Sequence, residues 1–449
     1  MKRKMSKIIF LMLCGFINLN AYAADVTTNP EQVIKSCVDD QTYAVIHVNL
    51  DKVNIEAYVK KAAAIVNKHA RPEIAKNLED GLKAFQSQAQ MQLDELKKVG
   101  GKDFFVVFSM YDFPFPFFAV PVHSSEAQDE LYRNVQKIAQ GFNEGELELY
   151  ATDGLILVGM KQTIARLKTI SPVQSETLVR GFQACGDSTV QIVLFPSSDQ
   201  RRILSEMLPK IPLDSGTINF TTVSRDLDWA ALGFNGPPST SLNFTIQSQN
   251  SEGADNLLKF IKNVYALAAQ SVQAQEFKPQ LDQILKVLTP EKRENQLVLK
   301  VEPETANSII DNLIAPSIFK VRAVATRAAC ASHLKQIGVA LILYANDYDD
   351  KYPPNLEILT TKAELLPKIL VCPATMSKDS YIYRATDLSV SDVPYLVLVY
   401  DKKGNHEGGR NVLFLDGHVE WASEDRFQEF IKKDNEYRRE KGYKEKSAE

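Results

Sequence analysis

Residues 405–423, NHEGGRNVLFLDGHVEWAS, decide how the C-terminal part of the chain folds. Val412 to Leu415 and Val419 to Trp421 are short strand-forming runs, and Asp416-Gly417 between them is a hairpin signal, since glycine accepts the positive φ of a tight turn. With Tyr395 to Tyr400 they predict a small antiparallel sheet. Upstream, Cys330, Leu334, Ile337, Leu341, Tyr344 and Tyr348 recur at spacings of three and four, which puts one apolar stripe on one face of a helix suited to lie on that sheet. Ser332, Lys335 and Gln336 point elsewhere. The acidic run Asn346 to Asp350 and Tyr352-Pro353-Pro354 end the helix, because proline lacks the backbone donor and restricts the residue before it. Downstream, Glu424 onward reads as a charged helix with a short packing face of Phe427, Phe430 and Ile431, and Lys441 to Glu449 read as frayed.

The preceding part of the chain predicts α+β structure. Thr42 to Leu50 reads as a strand, and Val53 to Lys98 as helix divided at Arg71-Pro72. Strands at Phe104 to Met110 and Phe117 to Val122 flank the turn YDFPFP. A helix at Ser125 to Ala139 and a hairpin around Thr152-Asp153-Gly154 follow. From Thr189 the order recurs: a strand, a helix at Asp199 to Leu208, strands near Thr217 to Val223, Asp228 to Phe234 and Leu242 to Gln249, helices at Gly253 to Ala269 and Lys278 to Leu288, and a strand at Gln296 to Val301. The fold class expected is α+β: two antiparallel-sheet units with helices on one face, residues 24–180 and 181–315, then a small domain with a long helix and short antiparallel sheet, residues 316–449. One large mixed domain in place of the two units is the equal alternative.

Met1 to Ala23 combine Lys2, Arg3, Lys4 and Lys7 with the apolar run Ile8 to Phe16 and end in Ala21-Tyr22-Ala23, an export signal cut after Ala23. Lipoprotein processing at Cys14 fits less well, because the bulky Leu13 precedes it. Removing those four basic residues and no acid shifts the formal net charge from −4 to −8, which disfavours nucleic acid as a partner. The expected location is periplasmic or extracellular, with no stable membrane insertion after signal cleavage. Of the remaining cysteines, Cys330 and Cys372 are the better disulfide pair, since both lie in the C-terminal region, and a bridge there would contribute about 2 to 4 kcal/mol. Cys37 and Cys185 read as buried thiols.

The segments Arg327 to Cys330, HLKQIGVALILYANDYDDKYPP, Leu370 to Ala374, and His406 with Asp416, Gly417 and His418 resemble, in that order, the prepilin-processing-associated H-x9-DG proteins. The C-terminal regions of that family are similar to type II secretion pseudopilins. The resemblance covers about a quarter of the chain and implies a pilin-like globular part. The family's leader before the helix is missing here, so the resemblance does not carry polymerisation as a pilin subunit with it.

Three groups of residues are candidate sites. His406, Asp416 and His418 hold the atoms of a transition-metal site, although an aspartate in a turn also accepts a bond from an amide two residues on, and structural use is the expectation. Asp347, Asp349 and Asp350 offer oxygen ligands without the twelve-residue calcium loop, and read as helix termination. Tyr111, Phe113, Phe115 and Phe117, stiffened by Pro114 and Pro116, form either a docking loop or a loop folded over the core. There is no glycine-rich phosphate loop, no His-Glu-x-x-His helix and no G-x-S-x-G elbow. The expectation is therefore a noncatalytic exported protein without cofactor, with an assembly or interaction role and an envelope protein as partner. The alternative is a periplasmic small-molecule binding protein using a cleft between the N-terminal units.

Overall fold

The computed structural model describes residues 29–70, 72–98, 101–122, 128–140, 147–152, 154–207, 211–213, 216–218, 220–270 and 278–447. The segment read as an export signal, Asp153 and residues 448–449 lie outside them. The chain divides into two compact units, one comprising the described residues to Lys68 with Lys76–Ala315, the other Pro316 onward with His69–Ala75.

The first unit is built on strands β1 (Thr42–Asn49), β2 (Asp103–Ser109), β3 (Phe117–Pro121), β4 (Leu147–Thr152), β5 (Leu155–Met160), β6 (Val190–Leu194), the hairpin β7 (Ile211–Leu213) and β8 (Gly216–Ile218), β9 (Leu227–Asn235), β10 (Ser241–Ser248), β11 (Glu291–Arg293) and β12 (Gln296–Val301). Ten of them form one sheet in the order β11-β12-β10-β9-β6-β1-β2-β3-β5-β4. Each half of that order, read outward from the centre, visits its own strands in the sequence first, second, third, fifth, fourth; β7 and β8 are an insertion in the second half. The repeated element order is therefore a repeated topology.

The halves are not separate, however. β1 and β6 pair antiparallel from Ala44 opposite Leu194 to Val48 opposite Val190, so residues 24–180 and 181–315 are two halves of one sheet. His47 lies on that seam. Its Nδ1 is 2.7 Å from Gln191 Oε1 on β6 and its Nε2 is 2.7 Å from Asp103 Oδ1 on β2, which satisfies a buried imidazole across three strands.

Alternation along β2, β3 and β5 explains how this sheet is buried. Phe104, Val106, Phe118, Val120, Ile156 and Val158 face one core, with Val59 of helix Ile55–His69, Leu93 of helix Pro72–Lys98 and Leu131 of helix Gln128–Gln140. Phe105, Val107, Phe117, Ala119, Leu155 and Leu157 face another, with Ile164 of helix Lys161–Leu167 and Phe182 of helix Glu176–Cys185. The expectation of helices on one face is thus widened to both faces, because these strands are apolar at consecutive positions rather than alternately. One strand expected near Thr217 to Val223 divides into β8 and a short helix, Thr221–Asp226, whose Val223 packs in the core that also holds Leu257 of helix Ser251–Gln270.

The second unit sets the long helix Ala315–Asp347 against a four-stranded meander, β13 (Tyr381–Tyr383), β14 (Val397–Asp401), β15 (Arg410–Phe414) and β16 (Val419–Ala422). The predicted stripe is buried: Cys330, Leu334, Ile337 and Leu341 are closed to solvent and share a core with Leu398, Val399 and Leu413. Tyr348 is the exception, half-exposed and stacked on Tyr344. The helix also carries an apolar face that the stripe does not include, with Val339 59%, Leu343 52% and Ile342 38% exposed. By length and composition the helical run Pro303–Asp347 is apolar enough to cross a membrane. It ends as expected at the acidic run, where Asp349 and Asp350 adopt φ of 53° and 61° and the Asp350 amide turns back to the Ala345 carbonyl.

The C-terminal helix Glu424–Glu440 is capped by Ser423, carries acids in its first turn and arginines in its last, and buries Phe427 and Ile431 against Tyr400, Val412 and Phe414. It also buries Asp434 and Arg438. Asp434 Oδ2 accepts bonds from Arg384 Nη2 at 2.6 Å and Arg438 Nε at 2.8 Å, and its Oδ1 accepts from the Val397 amide. Arg384 Nη1 donates to the carbonyls of Lys446 and Ser447. The segment read as frayed is therefore held as far as Ser447, since a fully buried guanidinium needs those acceptors.

Candidate functional site

Three segments of the second unit bring their chemistry to one buried point. The long helix supplies Cys330. The turn after a short helical stretch, Pro367–Leu370, supplies Cys372. The loop between β14 and β15 supplies His406. Ser380 fixes the last two: its Oγ accepts the Cys372 amide at 2.9 Å, and its carbonyl accepts Asn405 Nδ2 at 2.6 Å. Gly409 lets the loop close, because a Cβ there would lie 2.1 Å from the Ala422 carbonyl oxygen.

Cys330 Sγ and Cys372 Sγ lie 3.1 Å apart as two thiols rather than as a bonded pair, so the expected partners meet without the expected bond. Cys372 Sγ is 3.7 Å from His406 Nε2, which in turn is 3.5 Å from Asp401 Oδ2 at the end of β14. Tyr381 OH on β13 lies 3.3 Å from Cys330 Sγ. Asp401 Oδ2 accepts two bonds from Asn411, one from its amide and one from its side chain, each 2.8 Å, whereas Asp401 Oδ1 is buried with no hydrogen-bond partner. All these side chains are less than a tenth exposed.

The thiols titrate in opposite directions. Cys330 is the donor in their shared bond, which together with burial holds its proton well above the ordinary thiol range. Cys372 is pushed down, because it accepts that bond and further ones from His406 and the Ala374 amide, against the opposing effect of burial. Burial also pushes the Asp401 carboxyl up to about 6, although His406 and Asn411 act against it.

The two ends of the H-x9-DG spacing do different work. Asp416 Oδ1 accepts the His418 amide at 3.0 Å and bonds its imidazole, His418 stacks on Phe414 at 4.4 Å, and Gly417 takes φ 85° in the turn. Asp416, Gly417 and His418 thus serve the hairpin, as expected, while His406 belongs with the cysteines. The sequence singled out Cys330 and Cys372 as a pair and His406 apart from them, and it gave no weight to Asp401 or Tyr381. The signal for Asp401 was an aspartate ending an otherwise apolar strand.

The aromatic group divides. Tyr111 is 63% exposed with Arg166 over its ring, Phe113 is 48% exposed, and Phe115 is intermediate. Phe117, by contrast, is completely buried in β3 and is no interaction residue, because both faces of that strand are covered by core. In the first unit, a cavity of about 780 Å³ opens where the halves of the sheet meet, lined by residues including Lys52, Asn54, Lys97, Asp187, Asn235 and Lys300.

Comparison of the chain with protein-family models, with curated proteins and with solved structures gave no match.

Proposed function

We propose that this is an exported, noncatalytic protein of the cell envelope, in the periplasm or outside the cell, whose pilin-like second unit supplies an assembly or interaction surface to an envelope protein. One observation carries the reading: the long helix is apolar on two faces, and only one of them is used by its own sheet. A contiguous apolar patch left to solvent is characteristic of surfaces that meet another protein. Because the stripe from Cys330 to Leu341 is already committed to the sheet, the reading favours a helix that docks over one inserted in a bilayer.

The paired substitution Val339→Glu and Leu343→Glu tests this. Both positions are exposed, so the melting temperature should stay within the effect of about 0.5 kcal/mol usual for surface changes. A stoichiometric partner that co-purifies with the wild-type chain from envelope extracts should be lost. Retention of that partner by the double variant would sink the proposal. Export is tested separately by N-terminal sequencing of the periplasmic fraction, where the expected first residue is Ala24; a mature chain beginning between residues 310 and 330 would contradict it.

The cavity in the first unit favours a second reading, a small-molecule binding protein. Its lining sets Lys52, Lys97 and Lys300 beside Asp51, Glu56, Asp187 and Glu302, with Lys52 paired to Asp187 and Lys300 to Glu302, a wall of donors and acceptors suited to a polar solute. A rise in melting temperature with one member of a metabolite library, in the absence of any macromolecule, would favour this reading.

A further inference from the structure

We propose that Cys330, Cys372 and His406, with Asp401 beside them, bind a divalent thiophilic metal ion, zinc above others. The site goes beyond the envelope role and does not depend on it. Two thiols and an imidazole supply three of the donors that tetrahedral zinc takes, and Asp401, 3.5 Å from His406 Nε2, sets a carboxylate beside them, whereas the oxygen-seeking calcium and magnesium ions do not use sulfur.

The spacing agrees with this. Zinc bonds of about 2.3 Å to sulfur and 2.0 Å to nitrogen place neighbouring ligand atoms of a tetrahedron about 3.5 to 3.8 Å apart. Here the sulfurs are 3.1 Å apart and Cys372 Sγ is 3.7 Å from His406 Nε2, with all three atoms within 4.8 Å of one another. Adjustments of about an ångström or less bring these three atoms to ligating positions. Each ligand comes from a different segment, and the Cys372 and His406 segments are both tied to Ser380, so the cage is held before an ion arrives.

A disulfide between the same cysteines is the competing outcome, and it accounts for fewer of the groups present. It would use two of the four and leave Asp401 Oδ1 buried without a partner. A cation satisfies both sulfurs and the imidazole and offsets the buried carboxylate, which is costly to leave uncompensated. Binding breaks the S–H bonds of the thiols, forms two S–metal bonds and releases the protons to solvent; nothing is oxidised or reduced.

The full mature chain, stripped with a chelator under reducing conditions, should take up one equivalent of Co²⁺. The complex should show the thiolate-to-cobalt charge-transfer absorption and visible bands of a tetrahedral site, and Zn²⁺ should displace the cobalt. Cys372→Ser and His406→Ala should lose these bands, while Cys185→Ser, in the first unit, should keep them. If the first two variants do not fold, His406→Cys carries the test, since it preserves a tetrahedral donor set and should strengthen the sulfur-derived absorption. Alkylation supplies a second readout: in protein purified without reductant and then unfolded in denaturant, Cys330 and Cys372 should become labelled after chelation alone. Labelling only after reduction, a wild-type chain whose cobalt spectrum equals that of Cys372→Ser, or His406→Cys without sulfur-derived absorption would overturn the proposal.

Discussion

Asp434→Ala is expected to lower the stability of the second unit by about 3 to 5 kcal/mol, the cost of leaving a buried charge without its partner. Asp434 is fully buried between Arg384 and Arg438, both equally closed to water, and it is the carboxylate that both guanidiniums share. Truncation also removes the acceptor of the Val397 amide at the start of β14. The loss is a large share of the 5 to 15 kcal/mol that typically separates folded from unfolded chains. Urea denaturation followed on Trp421 in a Trp229→Phe background reads this unit, because the chain has only those two tryptophans and Trp229 belongs to the first unit. A loss below about 1 kcal/mol would show that water reaches the arginines and that they need no fixed counterion.

Phe117→Ala should cost the first unit about 3 to 5 kcal/mol, the range for deleting a large buried side chain. Phe117 packs with Phe105, Val107 and Leu157 in the core that also contains Trp229, whose fluorescence is the direct readout. Phe113→Ala, four residues away but half-exposed, should shift stability by no more than about 0.5 kcal/mol. Equal effects of the two substitutions would mean that the turn folds over the core as tightly as the strand does.

That contrast also shows what a sequence can and cannot reveal. The strand beginning at Phe117 and the turn before it were both legible from Pro114 and Pro116, but which of the two cores Phe117 enters depends on register, which the pairing of Phe117 with Val107 defines. The stripe from Cys330 to Leu341 was legible because helical periodicity is local. The second apolar face at Val339, Ile342 and Leu343 was not, since a search for one stripe assigns whatever lies off it to solvent. The joining of β1 to β6 was illegible for a different reason: strands almost 150 residues apart announce themselves as strands but carry no local mark of their partner. The metal-ligating cluster shared this difficulty. Cys330, Cys372 and His406 each stood out, yet only the packing of the helix on the sheet makes them neighbours.

The hold that Arg384 has on Lys446 and Ser447 sets the order in which this unit can be made. Its neutralisation requires Asp434, 50 residues after it, and its Nη1 requires the carbonyls of Lys446 and Ser447, 62 and 63 residues after it. Domains ordinarily fold one after another as synthesis proceeds, from the N-terminus onward. The second unit cannot do so, because a nascent chain that has emerged only as far as β16 holds an arginine whose burial has no counterion. Completion of this unit must wait until the chain has been made through Ser447, and its sheet stays open to solvent until then.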